Sequence, residues 1–245
     1  MNIQEITEQS GIQEQIDILK VDRSAKPKIE DIKKEWKVSE HRTITDKTFL
    51  PDKEIKNEKG EVQRQKPVNR IAIPVQKYIV GSAISFGFGN PVQIKSNAEE
   101  GSQEEVVEKA IERILYENKT NIKNRQIARE LYRSTEIAEY WYYQKVDTHE
   151  DYGFPCNFRI KLKLFIPWKN DILYPMFDEY DNMVAFSRGF SLVDKQKKVI
   201  EYFETFTDTE VKRFKKEDSG WIEDVIEEIG KNVIKKKPVV YRWQE

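Results

Sequence analysis

Between about residues 69 and 135 apolar positions mostly follow helical spacing, and from Glu136 most of them alternate. The longest weakly charged run is NRIAIPVQKYIVGSAISFGFGNP, residues 69–91. Val75, Tyr78, Ile79, Ser82, Ala83 and Phe86 take the i, i+3, i+4, i+7 spacing of one helix face, which predicts a buried core helix. Pro74 suits its first turn. Gly87, Gly89 and Asn90-Pro91 should end it, glycine by admitting positive φ and proline by failing to continue the ladder. Arg70 and Lys77 interrupt the run, so it does not read as a membrane span. Ser102 and Glu105 form an S-x-x-E capping box opening a second helix, whose buried stripe is Val107, Ala110, Ile111, Ile114 and Leu115. A third, over about 121–135, turns Ile127, Ala128 and Leu131 inward, and the short polar link predicts an antiparallel pair.

From Glu136 the period becomes two. Residues 137–146 contain Tyr140-Trp141-Tyr142-Tyr143, and Phe158, Ile160, Leu162, Leu164 and Ile166 alternate with Arg159, Lys161, Lys163 and Phe165, a nearly pure period of two. Further strands are predicted over 172–177, 183–190, 199–206 and 211–215, separated by polar turns, and a last strand over 239–243. The stretch 221–230 is charged and helix-like. Short consecutive strands with tight turns point to an antiparallel meander, so the fold class is α+β: amphipathic helices followed by that meander. A final strand requires either an internal strand to pair with or more chain beyond it.

The amino-terminal residues look different. Ile12, Ile16 and Leu19 could line a short helix, and Ile29, Ile32 and Trp36 another. Residues 45–66 carry almost no apolar period and read as an extended or mobile stretch. The expected organisation is therefore a charged, partly flexible arm over 1–66 and a helical segment plus sheet over 67–245.

Composition narrows the function classes. Lys and Arg number 42 against 43 Asp and Glu, a net charge of −1, which gives no support to a protein whose whole surface wraps DNA. One cysteine, Cys156, excludes an intrachain disulfide, and with His41 and His149 it falls short of a structural zinc set. The amino terminus lacks the basic and apolar regions of a secretory signal. Asp178, Glu179 and Asp181 share a turn without EF-hand spacing. Gly87 and Gly89 lack the third glycine and the Lys-Ser/Thr pair of a phosphate loop. Cys156 has no histidine positioned near it in sequence, so an inert thiol is expected; neither catalytic residues nor a cofactor are assigned. Tyr140, Trp141, Tyr142 and Tyr143 could stack on single-stranded bases, but alternation allows at most two per face, and two in the core with two on a rim or subunit interface is the plainer arrangement. Lys235, Lys236 and Lys237 form a small basic cluster, either a solvated end or a phosphate contact.

Taken in order, several segments resemble one family. These are Asn69-Arg70 leading a helix that closes in Phe88-Gly89-Asn90-Pro91, the helical pair to Thr135, the aromatic strand 139–145, and Leu164-Phe165-Ile166-Pro167. Then follow residues 174–180 (YPMFDEY), 185–190 (AFSRGF), 199–207 (VIEYFETFT) and 237–241 (KPVVY). Together they resemble the amino-terminal half of tailed-phage portal proteins of the SPP1 type. The resemblance implies a portal wing-like fold in a non-enzymatic structural subunit of a ring, typically of twelve copies, at the capsid vertex of the virion. It implies assembly in the host cytoplasm and a channel for double-stranded DNA. The implied partners are further copies of the chain, the terminase large subunit, the head–tail connector, and capsid or scaffold protein, with no membrane. The stem helices, clip, channel loop and crown of the family would follow residue 245, so an amino-terminal fragment is expected. The alternatives are a non-enzymatic α+β protein-interaction domain and a single-stranded nucleic-acid-binding module.

Overall fold

The structure, a computed structural model, describes residues 11–21, 26–225 and 236–244. They form two units: one combines the residues before position 24 with those from Asn90 onward, and the other lies within Ser24–Gly89.

In the larger unit, helix α1 (Ile12–Leu19) precedes the rest. Helices α5 (Gln103–Glu117) and α6 (Thr120–Ser134) lead into the strands. The Ser102 side chain accepts the Glu105 N–H at 3.2 Å, and Glu105 in turn accepts the Gly101 N–H, so the expected box opens α5. Lys119, in the left-handed region at φ 52°, separates the two helices.

The helices bury only part of their predicted stripes, for Val107 and Ile111 of α5, expected to face inward, are exposed. Ala110 of α5 packs with Tyr152 and Cys156, and Ile127 of α6 packs with Ile137 and Ile166. The surface they cover belongs to a hairpin of β3 (Glu136–His149) and β4 (Cys156–Phe165).

Strand β10 (Val239–Trp243) pairs antiparallel with β3, completing a three-stranded sheet of order β10-β3-β4. The second sheet is a pure meander: β5 (Ile172–Phe177), β6 (Met183–Val193), β7 (Val199–Phe206), β8 (Val211–Glu217) and β9 (Gly220–Glu223), in that order. The α+β class with an antiparallel meander is therefore the observed one. Strand β9 occupies the beginning of the stretch expected to be helix-like, and Trp221 and Ile222 pair with Lys216 and Lys215. An edge strand open to β8 offers these residues ladder bonds that a short charged helix would lack. Asp224 and Val225 are not in a helix, and residues 226–230 lie outside the described residues.

Alternation sends the two faces of the meander to two different cores. Phe186 and Phe206 face a cluster shared with Ala138, Phe165, Val239 and Tyr241 of the three-stranded sheet. Ala185, Phe203 and Phe214 face the other way, where Ile16 and Leu19 of α1 cover them. Both of those α1 residues are essentially inaccessible to solvent.

Between the sheets lies a buried ion network. Arg188 donates from Nε and Nη2 to Asp171 Oδ1 at 2.9 and 2.7 Å, and from Nη1 to Glu204 Oε2 at 3.2 Å. Arg213 closes the network onto Glu204 Oε1 from Nε at 2.7 Å. The Arg188 guanidinium also lies 4.3 Å from the centre of the Phe165 ring and 3.9 Å from that of Phe190. Each buried charge thus meets an opposite charge, which its removal from water demands.

The smaller unit holds α2 (Ile29–Trp36), α3 (Arg42–Thr45), the hairpin β1 (Lys53–Lys56) and β2 (Val62–Lys66), and α4 (Val75–Gly87). The hairpin falls where the sequence has no apolar period, because its turn holds it rather than a buried face. Asn57 Oδ1 accepts the N–H groups of Lys59 and Glu61 at 3.0 and 2.9 Å, and Gly60 supplies φ +81°. Arg70 donates to Leu50 O at 2.9 Å and to Asp52 Oδ1 at 2.7 Å, tying the chain before the hairpin to the chain after it. Pro74 caps helix α4 from just outside it rather than standing in its first turn, and the helix also ends for a different reason than expected. Gly87 lies inside it, neither Gly87 nor Gly89 has a positive φ, and a Cβ on Gly89 would stand 2.5 Å from Ser85 O. Close approach, rather than a left-handed turn, requires glycine at 89.

Candidate assembly surfaces

The aromatic strand splits its rings between the faces of β3. Tyr140 and Tyr142 share one face, with ring centres 5.1 Å apart, and Tyr140 also packs on Phe165 and Phe206 at 5.5 and 4.7 Å. Burial, reinforced by the nearby Glu204 carboxylate, pushes the Tyr140 hydroxyl up to about 12. Trp141 and Tyr143 point to the opposite face, Trp141 half-buried and Tyr143 exposed.

The basic cluster is divided in another way. Lys235 lies outside the described residues. Lys236 is exposed, and Lys237 is committed to Asp208, its N–H donating to Oδ1 at 2.7 Å and its Nζ to Oδ2 at 2.8 Å. The β10–β3 ladder sets the residues after this cluster beside the aromatic strand: the Trp141 N–H donates to Pro238 O at 2.9 Å, and Val239 pairs with Tyr140. In the acidic turn, Asp178 Oδ1 accepts the N–H groups of Tyr180 and Asn182 at 2.9 and 2.8 Å, and the bond from Asn182 is the main influence holding its carboxyl below the ordinary value. Asp178 thus organises the turn itself.

Cys156 does have a positioned histidine, contrary to the expectation from sequence. The β3–β4 register sets His149 opposite Cys156, and Sγ lies 3.6 Å from Nε2. The imidazole is nonetheless engaged at both nitrogens. Nε2 lies 2.9 Å from Phe158 O and must carry the hydrogen there, while Nδ1 accepts the Asp151 N–H at 3.3 Å. With both ring nitrogens engaged in this way, neither is free to take the thiol proton, and the pair packs without forming a nucleophile.

The larger departure from expectation concerns α4. The face formed by Val75, Tyr78, Ile79 and Phe86 is exposed instead of buried, with Phe86 96% accessible and Tyr78 77%. The buried residue of α4 is Ile84, on the opposite side, where Val80 is half-buried and Gln76 donates to Glu35 O of α2 at 2.8 Å. The apolar periodicity identified a face that gains from cover, and the described residues of the smaller unit do not cover it. A second apolar surface follows α4. Ile94 and Ala98, with Val107 and Ile111 of α5, line an open groove of about 560 Å³ bordered by Glu104 and Glu108. No helix among the described residues is long and apolar enough to cross a membrane.

An α+β chain with a tightly closed sheet core and two open apolar surfaces has the form of an assembly subunit. The family model for phage portal protein, SPP1 Gp6-like, matches residues 18–238, and the chain belongs to that family. Its role is accordingly that of a structural protein of a bacteriophage virion. Comparison with individual curated proteins returns no match.

Proposed function

We propose that the chain serves in a closed ring of identical subunits at the capsid vertex, typically twelve, through which double-stranded DNA enters and leaves. The ring docks the terminase large subunit during packaging and the head–tail connector afterwards, contacts capsid or scaffold protein, and assembles in the host cytoplasm. It works without catalysis: the subunit positions partners and leaves the DNA free to slide. A net charge of −1 suits that task, because neutralising many phosphates would bind the duplex tightly.

The observation that carries this reading is the portal-family match across residues 18–238, which spans the sheet unit and the smaller unit alike. Native mass spectrometry of the chain across a concentration series, with negative-stain imaging, tests it. A single closed oligomer with a central opening is expected. A chain that stays monomeric at its solubility limit overturns the reading.

A further inference from the structure

Strand register gives the aromatic strand cationic neighbours from β4. Directly opposed residues of an antiparallel pair project to the same face, and β3–β4 pairing sets Lys163 opposite Tyr140 and Lys161 opposite Tyr142. The two lysines therefore stand beside the stacked Tyr140 and Tyr142 rings, on one face of one hairpin in the larger unit. Register within that hairpin fixes the arrangement.

Neither lysine has a carboxylate of its own. Among the described residues neither ammonium forms an ion pair, whereas Arg159, the next cation along the face, is held by Glu117 and Asp151. Glu204 and Asp171, whose charges reach Lys163, are already bonded to Arg188 and Arg213. Lys163 lies instead 5.8 Å from the centre of the Phe165 ring. Desolvation, followed by repulsion from Arg188, draws its ammonium below the ordinary value, although the residue as a whole is exposed. Lys123 of α6 donates to Leu162 O at the edge of the sheet and is also drawn down, by desolvation and then by Lys161. The β4 edge thus gathers three ammonium groups, none of them in an ion pair among the described residues.

We propose that this face of the β3–β4 hairpin binds a single strand of nucleic acid, with Lys161 and Lys163 meeting successive phosphates and the Tyr142 ring stacking on an unpaired base. Residues two apart on a strand project to the same face about 7 Å from one another, a repeat that an extended sugar–phosphate chain can follow. Tyr140 is committed to Phe165 and Phe206 and braces Tyr142 from one side, leaving the half-buried Tyr142 as the ring that meets a base. A duplex keeps its bases stacked on one another and an acidic peptide answers the charge alone, so rings beside unpaired cations select the single strand. This goes beyond the ring reading and does not depend on it.

Fluorescence anisotropy of a labelled short oligothymidine, titrated with the full chain across a salt series, tests the proposal. Lys161→Gln with Lys163→Gln should weaken binding at least about tenfold and flatten the slope of log Kd against log salt by about 1.4, the share of two single-strand phosphate contacts. Lys161→Arg with Lys163→Arg should restore binding to within about twofold, which a general loss of folding would not allow. Tyr142→Leu should weaken binding about fivefold or more with the salt slope unchanged. Lys195→Gln with Lys197→Gln removes the same charge from the β6–β7 turn and should change binding less than about twofold. Undetectable binding at low salt overturns the proposal, and so does an equal loss in the turn variant, because overall charge would then be the cause. A duplex of equal length bound as tightly as the single strand, with Tyr142→Leu neutral, also overturns it. Ring assembly, read separately by imaging, stands or falls apart from all of these outcomes.

Discussion

Helices α1 and α4 make an instructive pair. Helix α1 is short and lies in a polar, charged stretch, yet Ile16 and Leu19 are fully enclosed against Ala185, Phe203 and Phe214. Helix α4 has the longer and more regular apolar face, yet that face is left open to solvent. The difference lies in what each helix meets. The five-stranded meander has an apolar surface on each side, one filled by the other sheet and one needing a lid, and α1 is that lid. Among the described residues of the smaller unit, no comparable surface covers the outward face of α4. Amphipathic spacing reports which side of a helix gains from burial, and it is silent about who supplies the cover.

The sharpest way to break the comparison is to attack the side that is closed. Replacing Arg188 with Ala leaves Asp171 and Glu204 buried with less compensation, and should cost about 3–5 kcal/mol. Urea unfolding followed by tryptophan fluorescence measures this, and a loss under 1 kcal/mol would mean that water reaches the network. Ile16→Ala is next. It opens a cavity beneath α1 and should cost about 2–5 kcal/mol in the same experiment, which a merely appended arm helix would not.

A smaller effect separates the units by pH. The hydrogen bond from Arg70 holds the Asp52 carboxyl below its ordinary 3.8. Because the folded value is depressed, this contribution is complete above 3.8 and is lost as pH falls below it. Amide shifts of Val68 and Arg70 should therefore titrate below pH 4 in the wild type and stay flat in Asp52→Asn; the same titration in the variant would place the proton elsewhere. The smallest expected change is at Phe86. Phe86→Ser should alter the stability of the monomer by no more than about 0.5 kcal/mol, since the ring is exposed. A large loss in a dilute thermal melt would show that α4 already packs within its own chain.

The strands were legible because alternation, aromatic residues and polar turns act locally. The spans 172–177, 199–206 and 239–243 coincide with β5, β7 and β10. Less of the candidate surfaces could be read. Tyr140 and Tyr142 share a face by alternation, but that this face meets Phe206 depends on the packing of one sheet against the other. His149 and Cys156 come together through hairpin register, which residue type does not encode. Arg188 looked like an ordinary charge within AFSRGF until pairing set it beside Glu204 and between two phenylalanine rings. Residues 53–66 lacked any apolar period, and their hairpin rests on Asn57 and Gly60.

By itself, then, the sequence determined the α+β class, the capping box of α5, the meander and the likeness to phage portals. All of these rest on interactions between residues near one another in the chain or on their order along it. Tertiary structure alone decided that α1 is a core element, that α4 turns its best apolar face outward, that β9 is a strand, and that four charges can lie between two sheets. Those outcomes depend on which distant segment reaches a given surface first and satisfies it, and burial energy is shared between both sides of a contact.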